Sequence, residues 1–162
     1  MSRVFFKTVN TPLLARKFTA GSTASSKKVA VVFGAGDATG ASCCRAFAKD
    51  GFDVIAVRRN KGAFSGTLEQ MSTKFKSEGI DNVYGYAIDA RKEEQVIQLL
   101  DEVETKFGPI SLAIHNIGPN VGQSVLEGTT QRYQKMFEIA ATSSLIVGRE
   151  VANRMLKNKI EF

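Results

Sequence analysis

The chain has 162 residues, of which 43% are hydrophobic and 23% are charged, so it can form one domain with a core and is not a disordered chain. No run of 18 apolar residues occurs, which excludes a membrane-spanning helix, and no membrane partner is expected. Six of the 22 basic residues lie in residues 1–28, which contain no acid, and the remaining 16 basic residues equal the 16 acids. Because the formal charge of +6 arises in this segment, we expect no nucleic-acid partner.

Residues that bind metals or form disulfides are scarce. The two cysteines, Cys43 and Cys44, are adjacent, and the sequence has one histidine. A disulfide framework and a four-ligand zinc site are therefore excluded, no metal site is expected, and we expect the cysteines to pack in the core.

Residues 1–28 have the composition of an organelle targeting sequence, with several basic residues, no acid and a Ser/Thr-rich end. Arg16, followed by Phe18 and Gly21, resembles a mitochondrial processing signal. We therefore expect a disordered leader at 1–28, a folded domain at 29–162 and a mitochondrial location. The alternative is a disordered basic tail on a cytoplasmic protein.

From residue 29 the apolar pattern alternates between strands and helices. The first apolar run is continuous, which is typical of a strand buried on both faces of a parallel sheet. The predicted strands are Val29–Phe33, Val54–Val57, Val83–Ile88 and Ile110–Ile114, and the predicted helices are Gly40–Lys49, Gly66–Glu78, Lys92–Phe107 and Thr130–Lys157. Four rounds of strand and helix predict an α/β fold: a doubly wound parallel sheet with right-handed crossovers and helices on both faces.

A glycine-rich turn, Phe-Gly-Ala-Gly-Asp-Ala-Thr-Gly at 33–40, joins the first strand to the first helix. Glycines allow a tight reversal and let backbone N–H groups approach a pyrophosphate, which the helix N-terminus stabilises. The spacing departs from G-x-G-x-x-G because Thr39 stands at the third glycine. Gly34, Ala38 and Gly40 instead resemble the T-G-x-x-x-[GA]-x-G turn of the short-chain dehydrogenase/reductase family, with Phe33 in place of Thr. The alternative is an ordinary strand-to-helix turn without a ligand.

Two later segments extend the resemblance over about residues 29–162. Phe107–Ile110 matches the family's F-G-x-[IL]-D, and His115–Gly118 stands where the family has N-N-A-G. The resemblance implies a Rossmann fold and hydride transfer between a nicotinamide dinucleotide and a carbonyl or alcohol substrate. The family builds its substrate pocket from later segments, so the substrate is not readable here.

The residues at the end of the second predicted strand indicate which dinucleotide is preferred. An acid there selects NAD by accepting hydrogen bonds from the ribose, whereas this chain has Arg58 and Arg59. Guanidinium groups bind phosphate through charge-assisted hydrogen bonds that are often bidentate. We therefore expect NADP in preference to NAD. The alternative is that the two arginines only cover a solvated strand end.

The ends of the later strands complete the expected cofactor site. The resemblance implies that Asp89 touches the adenine edge, although Asp89 also fits as a cap for the helix that starts near Lys92. It further implies that Asn116 and Gly118 lie beside the cofactor, while His115 fits either a core or a catalytic role. The expected cofactor-binding residues are Gly34, Ala35, Gly36, Asp37, Ala38, Thr39, Gly40, Arg58, Arg59, Asp89, Asn116 and Gly118.

The catalytic residues of the family are not found. The family uses Y-x-x-x-K, in which the Lys lowers the pKa of the Tyr, and a Ser that orients the substrate. Four places after the three tyrosines stand Ile88, Ala90 and Phe137, and Ala140 replaces a family Asn. No catalytic residue is therefore assigned, and the chain by itself is predicted to be inactive. The alternative function is a nucleotide-binding or assembly module without catalysis.

The last residues, 159–162, resemble the opening of a fifth strand. In the family the strand order is 3-2-1-4-5-6-7, and the Y-x-x-x-K motif lies beyond the fifth strand. The sequence therefore predicts a domain that is incomplete at its C-terminus, with the fourth strand left as an edge. Unpaired edges favour pairing between chains, so we expect marginal stability or homo-oligomers.

Overall fold

The computed structural model describes residues 28–59, 68–119, 122 and 124–160. It contains four parallel strands and five α-helices in this part of the chain. The elements are β1 (Val29–Phe33), α1 (Thr39–Lys49), β2 (Asp53–Arg58), α2 (Leu68–Ser77), β3 (Val83–Ala87), α3 (Glu93–Phe107), β4 (Ile110–His115), α4 (Thr130–Phe137), a π-helical turn (Glu138–Thr142) and α5 (Ser143–Lys157). The predicted α/β fold is confirmed, and the predicted leader lies outside the described residues except for Lys28.

The sheet has the strand order β3-β2-β1-β4, which places β1 between β2 and β4. Phe33, the last residue of β1, pairs with Val57 on one side and His115 on the other. The carboxyl ends of these three strands therefore lie together. Parallel α/β sheets bind ligands at this edge, so the register assembles the residues that follow the strands into one candidate site.

Helices cover both faces of the sheet because successive side chains of β1 point to opposite sides. Val29, Val31 and Phe33 pack with α3 and α5, and Ala30 and Val32 pack with α1 and α2. All five residues are fully buried, as the continuous apolar run predicts. The two core clusters hold the carboxyl end of β1 from both faces, and this end leads directly into the glycine-rich turn.

The predicted helix Thr130–Lys157 is not continuous, since the π-helical turn separates α4 from α5. The Ser143 hydroxyl donates a hydrogen bond of 2.5 Å to the carbonyl of Ile139, four residues earlier. A serine hydroxyl that bonds this carbonyl competes with the regular backbone pattern, which gives a physical reason for the interruption.

The opening of a fifth strand predicted at 159–162 is not observed in its described part. The N–H groups of Lys159 and Ile160 donate to Leu156 and Met155, and Lys159 has a φ of 52°. These two residues therefore close the C-terminal end of α5, as a residue in the left-handed region commonly does. Residues 161 and 162 lie outside the described residues, as do the first two residues of the helix predicted at 66–78.

Candidate cofactor-binding site

The glycine-rich turn reverses the chain over the end of β2. The N–H groups of Gly34 and Ala35 both donate to the carbonyl of Val57, at 2.8 and 3.0 Å, and Gly34 has a φ of 84°. A Cβ atom on Gly34 would lie 2.3 Å from the carbonyl oxygen of Asn116. Position 34 therefore requires glycine both for its backbone conformation and for the close approach of Asn116, the residue that follows β4.

The first turn of α1 packs directly against the same reversal. Gly40 is buried, and a Cβ atom on it would lie 2.3 Å from the carbonyl oxygen of Gly34. The N-cap residue, Ala38, has no side chain that could accept a hydrogen bond from the helix start. Gly40 thus brings the N-terminus of α1 against the strand end, as the third glycine of dinucleotide-binding turns does.

The turn amides divide into two groups. The N–H groups of Gly34, Ala35 and Gly36 donate to protein carbonyls and shape the reversal. In the described part of the chain, no hydrogen bond is found for the N–H groups of residues 37–40. These donors lie at the positive end of the helix dipole, so they are the ones that suit a pyrophosphate.

The two arginines of the predicted phosphate site have different acidic neighbours. Arg58 is the last residue of β2, and its guanidinium group lies 3.5 Å from the carboxylate of Asp37 in the turn. The Arg58 side chain is only 13% exposed, whereas Arg59 is exposed and interacts with Asp89. The sequence predicted that both arginines and Asp37 belong to one site. It did not predict the ion pair between Arg58 and Asp37 or the interaction of Arg59 with Asp89.

Asp89 lies after β3 and forms a close ion pair with Arg91. Its carboxylate accepts hydrogen bonds from the Arg91 guanidinium at 2.5 and 2.9 Å and from the Arg91 backbone N–H at 3.1 Å. The hydrogen bonds from Arg91, with a smaller contribution from Arg59, lower the pKa of Asp89 to about 2. The N-cap of α3 is Lys92, so the alternative role of Asp89 as the helix cap is wrong.

The end of β4 is tied to the glycine-rich turn. The backbone N–H of Asn116 donates to the carbonyl of Phe33 at 2.8 Å, and its side-chain amide donates to the carbonyl of Gly34 at 3.1 Å. Gly118, two residues further along the chain, is exposed, and a Cβ atom on it would have no neighbour within 4 Å. Asn116 therefore supports the turn, and its predicted contact with a cofactor stays a prediction together with that of Gly118.

His115 links β4 to α5. Its Nε2 atom lies 2.8 Å from the hydroxyl oxygen of Ser143, which is fully buried. Because the Ser143 hydroxyl donates to Ile139, its oxygen accepts the hydrogen bond from the His115 ring N–H. Of the two roles considered for His115, this geometry favours the core one. Ser143 was not predicted, although a serine one turn before the buried Ile146 and Val147 was a readable signal.

We expect mild acid to weaken the fold through His115, which is the only histidine of the sequence. Burial lowers the pKa of His115 below its ordinary value of 6.5. The unfolded chain therefore takes up a proton before the folded chain does. The stabilisation from neutral His115 is present above the unfolded pKa and is lost as the pH falls through the folded pKa.

Urea unfolding at about pH 7.5 and about pH 5.5 measures this effect, since carboxylates with ordinary pKa values near 4 stay ionised in that window. The urea midpoint of the wild type is expected to fall between these two pH values. His115→Asn keeps a donor but cannot titrate, so its midpoint should fall less. Equal falls in both proteins would contradict the assignment.

Tyr86 does not have the surroundings of a catalytic acid or base. The Tyr86 hydroxyl donates to Glu102 at 3.1 Å, and Tyr84 packs on the ring of Phe107. Burial and the hydrogen bond with Glu102 raise the pKa of Tyr86, and Lys106 opposes this only in part. A catalytic Tyr needs a lowered pKa, so Tyr86 is poorly suited to proton transfer near neutral pH.

The described ranges contain neither a candidate membrane span nor a candidate metal site. No helix there is both long and apolar enough to cross a membrane, and no group of three or more His, Cys, Asp or Glu residues could hold a metal ion. Cys44 is buried in the core beside β1, where burial raises the pKa of its thiol to about 12. This thiol is therefore a packing group and not a nucleophile.

Comparison with known proteins gives consistent matches over the same part of the chain. Residues 28–160 match the family model described as short chain dehydrogenase. The chain is 25% identical over 135 residues to dehydrogenase/reductase SDR family member 11 of Bos taurus, covering 83% of this chain and 51% of the relative. It is 26% identical over 132 residues to a diacetyl reductase of Staphylococcus epidermidis, covering 82% and 49%.

Solved structures show the same fold. A short-chain dehydrogenase from Rhodopseudomonas palustris superposes with a TM-score of 0.69 at 31% identity, covering 81% of this chain and 59% of that one. A variant of ElxO with NADPH bound superposes with a TM-score of 0.71 at 20% identity, covering 82% and 52%. The chain spans about half the length of the curated relatives it matches. With most of its residues matched by the family model, the chain belongs to the short-chain dehydrogenase/reductase family.

Proposed function

We propose that this chain is the NADP-binding part of an oxidoreductase that transfers hydride between nicotinamide and a carbonyl or alcohol. The observation that carries the proposal is the start of α1, where the N–H groups of residues 37–40 have no hydrogen bond within the described residues. Gly34 and Gly40 hold this helix end against the carboxyl ends of β1 and β4. Such a helix end is suited to a diphosphate.

The arginines support NADP in particular. The second strand of a dinucleotide-binding sheet ends near the adenosine ribose, and Arg58 ends β2 in this chain. Arg59 follows it and is exposed, so one guanidinium is open to a phosphate on the ribose. When bound, the nicotinamide ring supplies the hydride donor or acceptor, while the residues described here bind and orient the adenosine and diphosphate.

The proposed substrate is a small carbonyl or alcohol. This proposal is supported by the similarity of the chain to the diacetyl reductase of Staphylococcus epidermidis. The described tyrosines lack the Y-x-x-x-K pattern, and Tyr86 is bound to Glu102. We therefore propose that residues 1–162 alone bind the cofactor without turnover. The second candidate is a nucleotide-binding or assembly module that has no catalytic role.

We also propose a mitochondrial location, on the composition of residues 1–28 alone. A fluorescent fusion of the full chain should co-localise with a mitochondrial marker, whereas a fusion that starts at Lys28 should not. Identical distributions of the two fusions would contradict this location.

Isothermal titration calorimetry of the full chain tests the proposed function. NADPH is expected to bind more tightly than NADH, and 2′,5′-ADP is expected to bind about as tightly as NADPH because the adenosine half carries the contacts. Turnover of diacetyl with NADPH should be undetectable. A preference for NADH, or the absence of nucleotide binding, would contradict the NADP site. Measurable reduction of diacetyl would contradict the proposed lack of catalysis.

A further inference from the structure

Asp37 places a negative charge where the phosphate on the adenosine ribose is proposed to bind. It is an exposed residue of the turn between β1 and α1, while Arg58 ends the neighbouring strand. The pairing of Phe33 with Val57 sets the two segments side by side, and the Asp37 carboxylate lies 3.5 Å from the Arg58 guanidinium. The Arg58 guanidinium is one of the two proposed phosphate ligands, so Asp37 and the phosphate compete for it.

Among the described residues, the charges around this edge of the sheet nearly cancel. Asp37 offsets Arg58, and Asp89 is bound by Arg91 through two guanidinium nitrogen atoms. Arg59 is exposed, and it interacts electrostatically with Asp89. These three arginines and two aspartates leave one net positive charge, and the Glu138 carboxylate also interacts electrostatically with Arg91. The net charge is therefore less than the sequence motif of two adjacent arginines suggests.

Asp37 is close enough to act on a bound phosphate. A phosphate hydrogen-bonded to the Arg58 guanidinium would lie within roughly 7 Å of the carboxylate, which is shorter than the screening length of about 8 Å at physiological salt. A monoester phosphate carries between one and two negative charges near neutral pH. A ribose hydroxyl carries none and can donate a hydrogen bond to a carboxylate. The carboxylate therefore disfavours the phosphorylated ribose selectively.

We propose that Asp37 is a specificity-determining residue that limits the preference of this site for NADP over NAD. The inference rests on the proposed function, since it concerns the same adenosine site. Asp37 holds Arg58 in an ion pair and repels a phosphate on the ribose, so the wild-type chain prefers NADP to NAD only modestly. Removal of this one charge increases the preference for NADP.

The test compares Asp37→Asn with Asp50→Asn. Both substitutions remove one negative charge from an exposed residue, but Asp50 lies beyond the other end of α1, a helix of roughly 16 Å. Calorimetry with 2′,5′-ADP and 5′-AMP isolates the effect of the ribose phosphate, because these two ligands differ only in the 2′-phosphate. The ratio of the 2′,5′-ADP affinity to the 5′-AMP affinity is expected to rise roughly tenfold in Asp37→Asn and less than about twofold in Asp50→Asn. At about 0.5 M salt the difference between the variants should shrink.

The outcomes separate this inference from the proposed function. If wild type binds 2′,5′-ADP but the two variants change the ratio equally, the role of Asp37 is wrong. A lower ratio in Asp37→Asn would also overturn it, because Asp37 would then orient Arg58 towards the phosphate. If wild type binds neither ligand, the proposed function fails and this inference fails with it. Thermal unfolding of both variants should match wild type, which checks that each is folded.

Discussion

Gly34→Ala is expected to destabilise the chain by about 4 kcal/mol and to abolish nucleotide binding. At a φ of 84° a side chain is strained, and the added Cβ would lie 2.3 Å from the carbonyl oxygen and 2.6 Å from the carbonyl carbon of Asn116. Both contacts are with backbone atoms, so β4 must move away from β1 to relieve them. That movement breaks the hydrogen bonds through which Asn116 supports the turn. Urea unfolding followed by circular dichroism measures the loss.

Two other glycines provide matched controls for the same substitution. Gly36 lies in the same turn, and a Cβ atom there would meet nothing within 4 Å, so Gly36→Ala should leave stability nearly unchanged. Gly148 lies in α5 with equally open space, and Gly148→Ala should stabilise the chain by about 1 kcal/mol through its higher helix propensity. A Gly34→Ala protein as stable as Gly36→Ala would contradict the described turn.

Phe33→Ala is expected to destabilise the chain by about 4 kcal/mol. Phe33 is fully buried at the end of β1, in the cluster that includes Leu100 of α3 and Val147 of α5. Truncation removes the buried ring and leaves a cavity that the surrounding strands and helices fill only in part. The free energy of unfolding in urea measures the effect, and nucleotide affinity should also fall, since the turn begins at the next residue.

Phe137→Ala is the matched control because it removes the same ring from the surface. Phe137 is 68% exposed at the end of α4, so little apolar surface returns to water and the expected loss is below about 1 kcal/mol. Similar losses in the two variants would mean that Phe33 does not pack as described. A large loss at Phe33 with unchanged m-value would show that the cost lies in core packing.

The order of strands and helices was predictable because it depends on local patterns. The run from Val29 to Phe33 is apolar at every position, and only a strand covered on both faces needs that pattern. Helices were read from the spacing of apolar residues, as with Val96, Leu99 and Leu100 in α3, all of which are buried. Boundaries differ by one or two residues at several elements, since helix ends depend on capping contacts that periodicity does not record.

The interactions within the candidate site were less predictable, because they join residues from different elements. Arg58 was interpreted as a phosphate ligand from its position alone, and its ion pair with Asp37 depends on strand pairing. Likewise, the hydrogen bond between His115 and Ser143 joins residues 28 positions apart. The resemblance to the family located the turn correctly. It carried no information on these pairs, because Asp37 stands at a variable position of the turn motif and Ser143 lies outside the family motifs.

The glycine-rich turn links nucleotide binding to the folding of the sheet. Its shape depends on the carbonyl of Val57 in β2 and on Asn116 after β4, so a chain with either strand detached has no reversal for a ligand to recognise. Nucleotide would therefore bind the folded ensemble alone, and ligand at 100 times its dissociation constant would add about 2.7 kcal/mol to the stability of the whole sheet. Occupancy in the cell would then protect the chain against proteolysis.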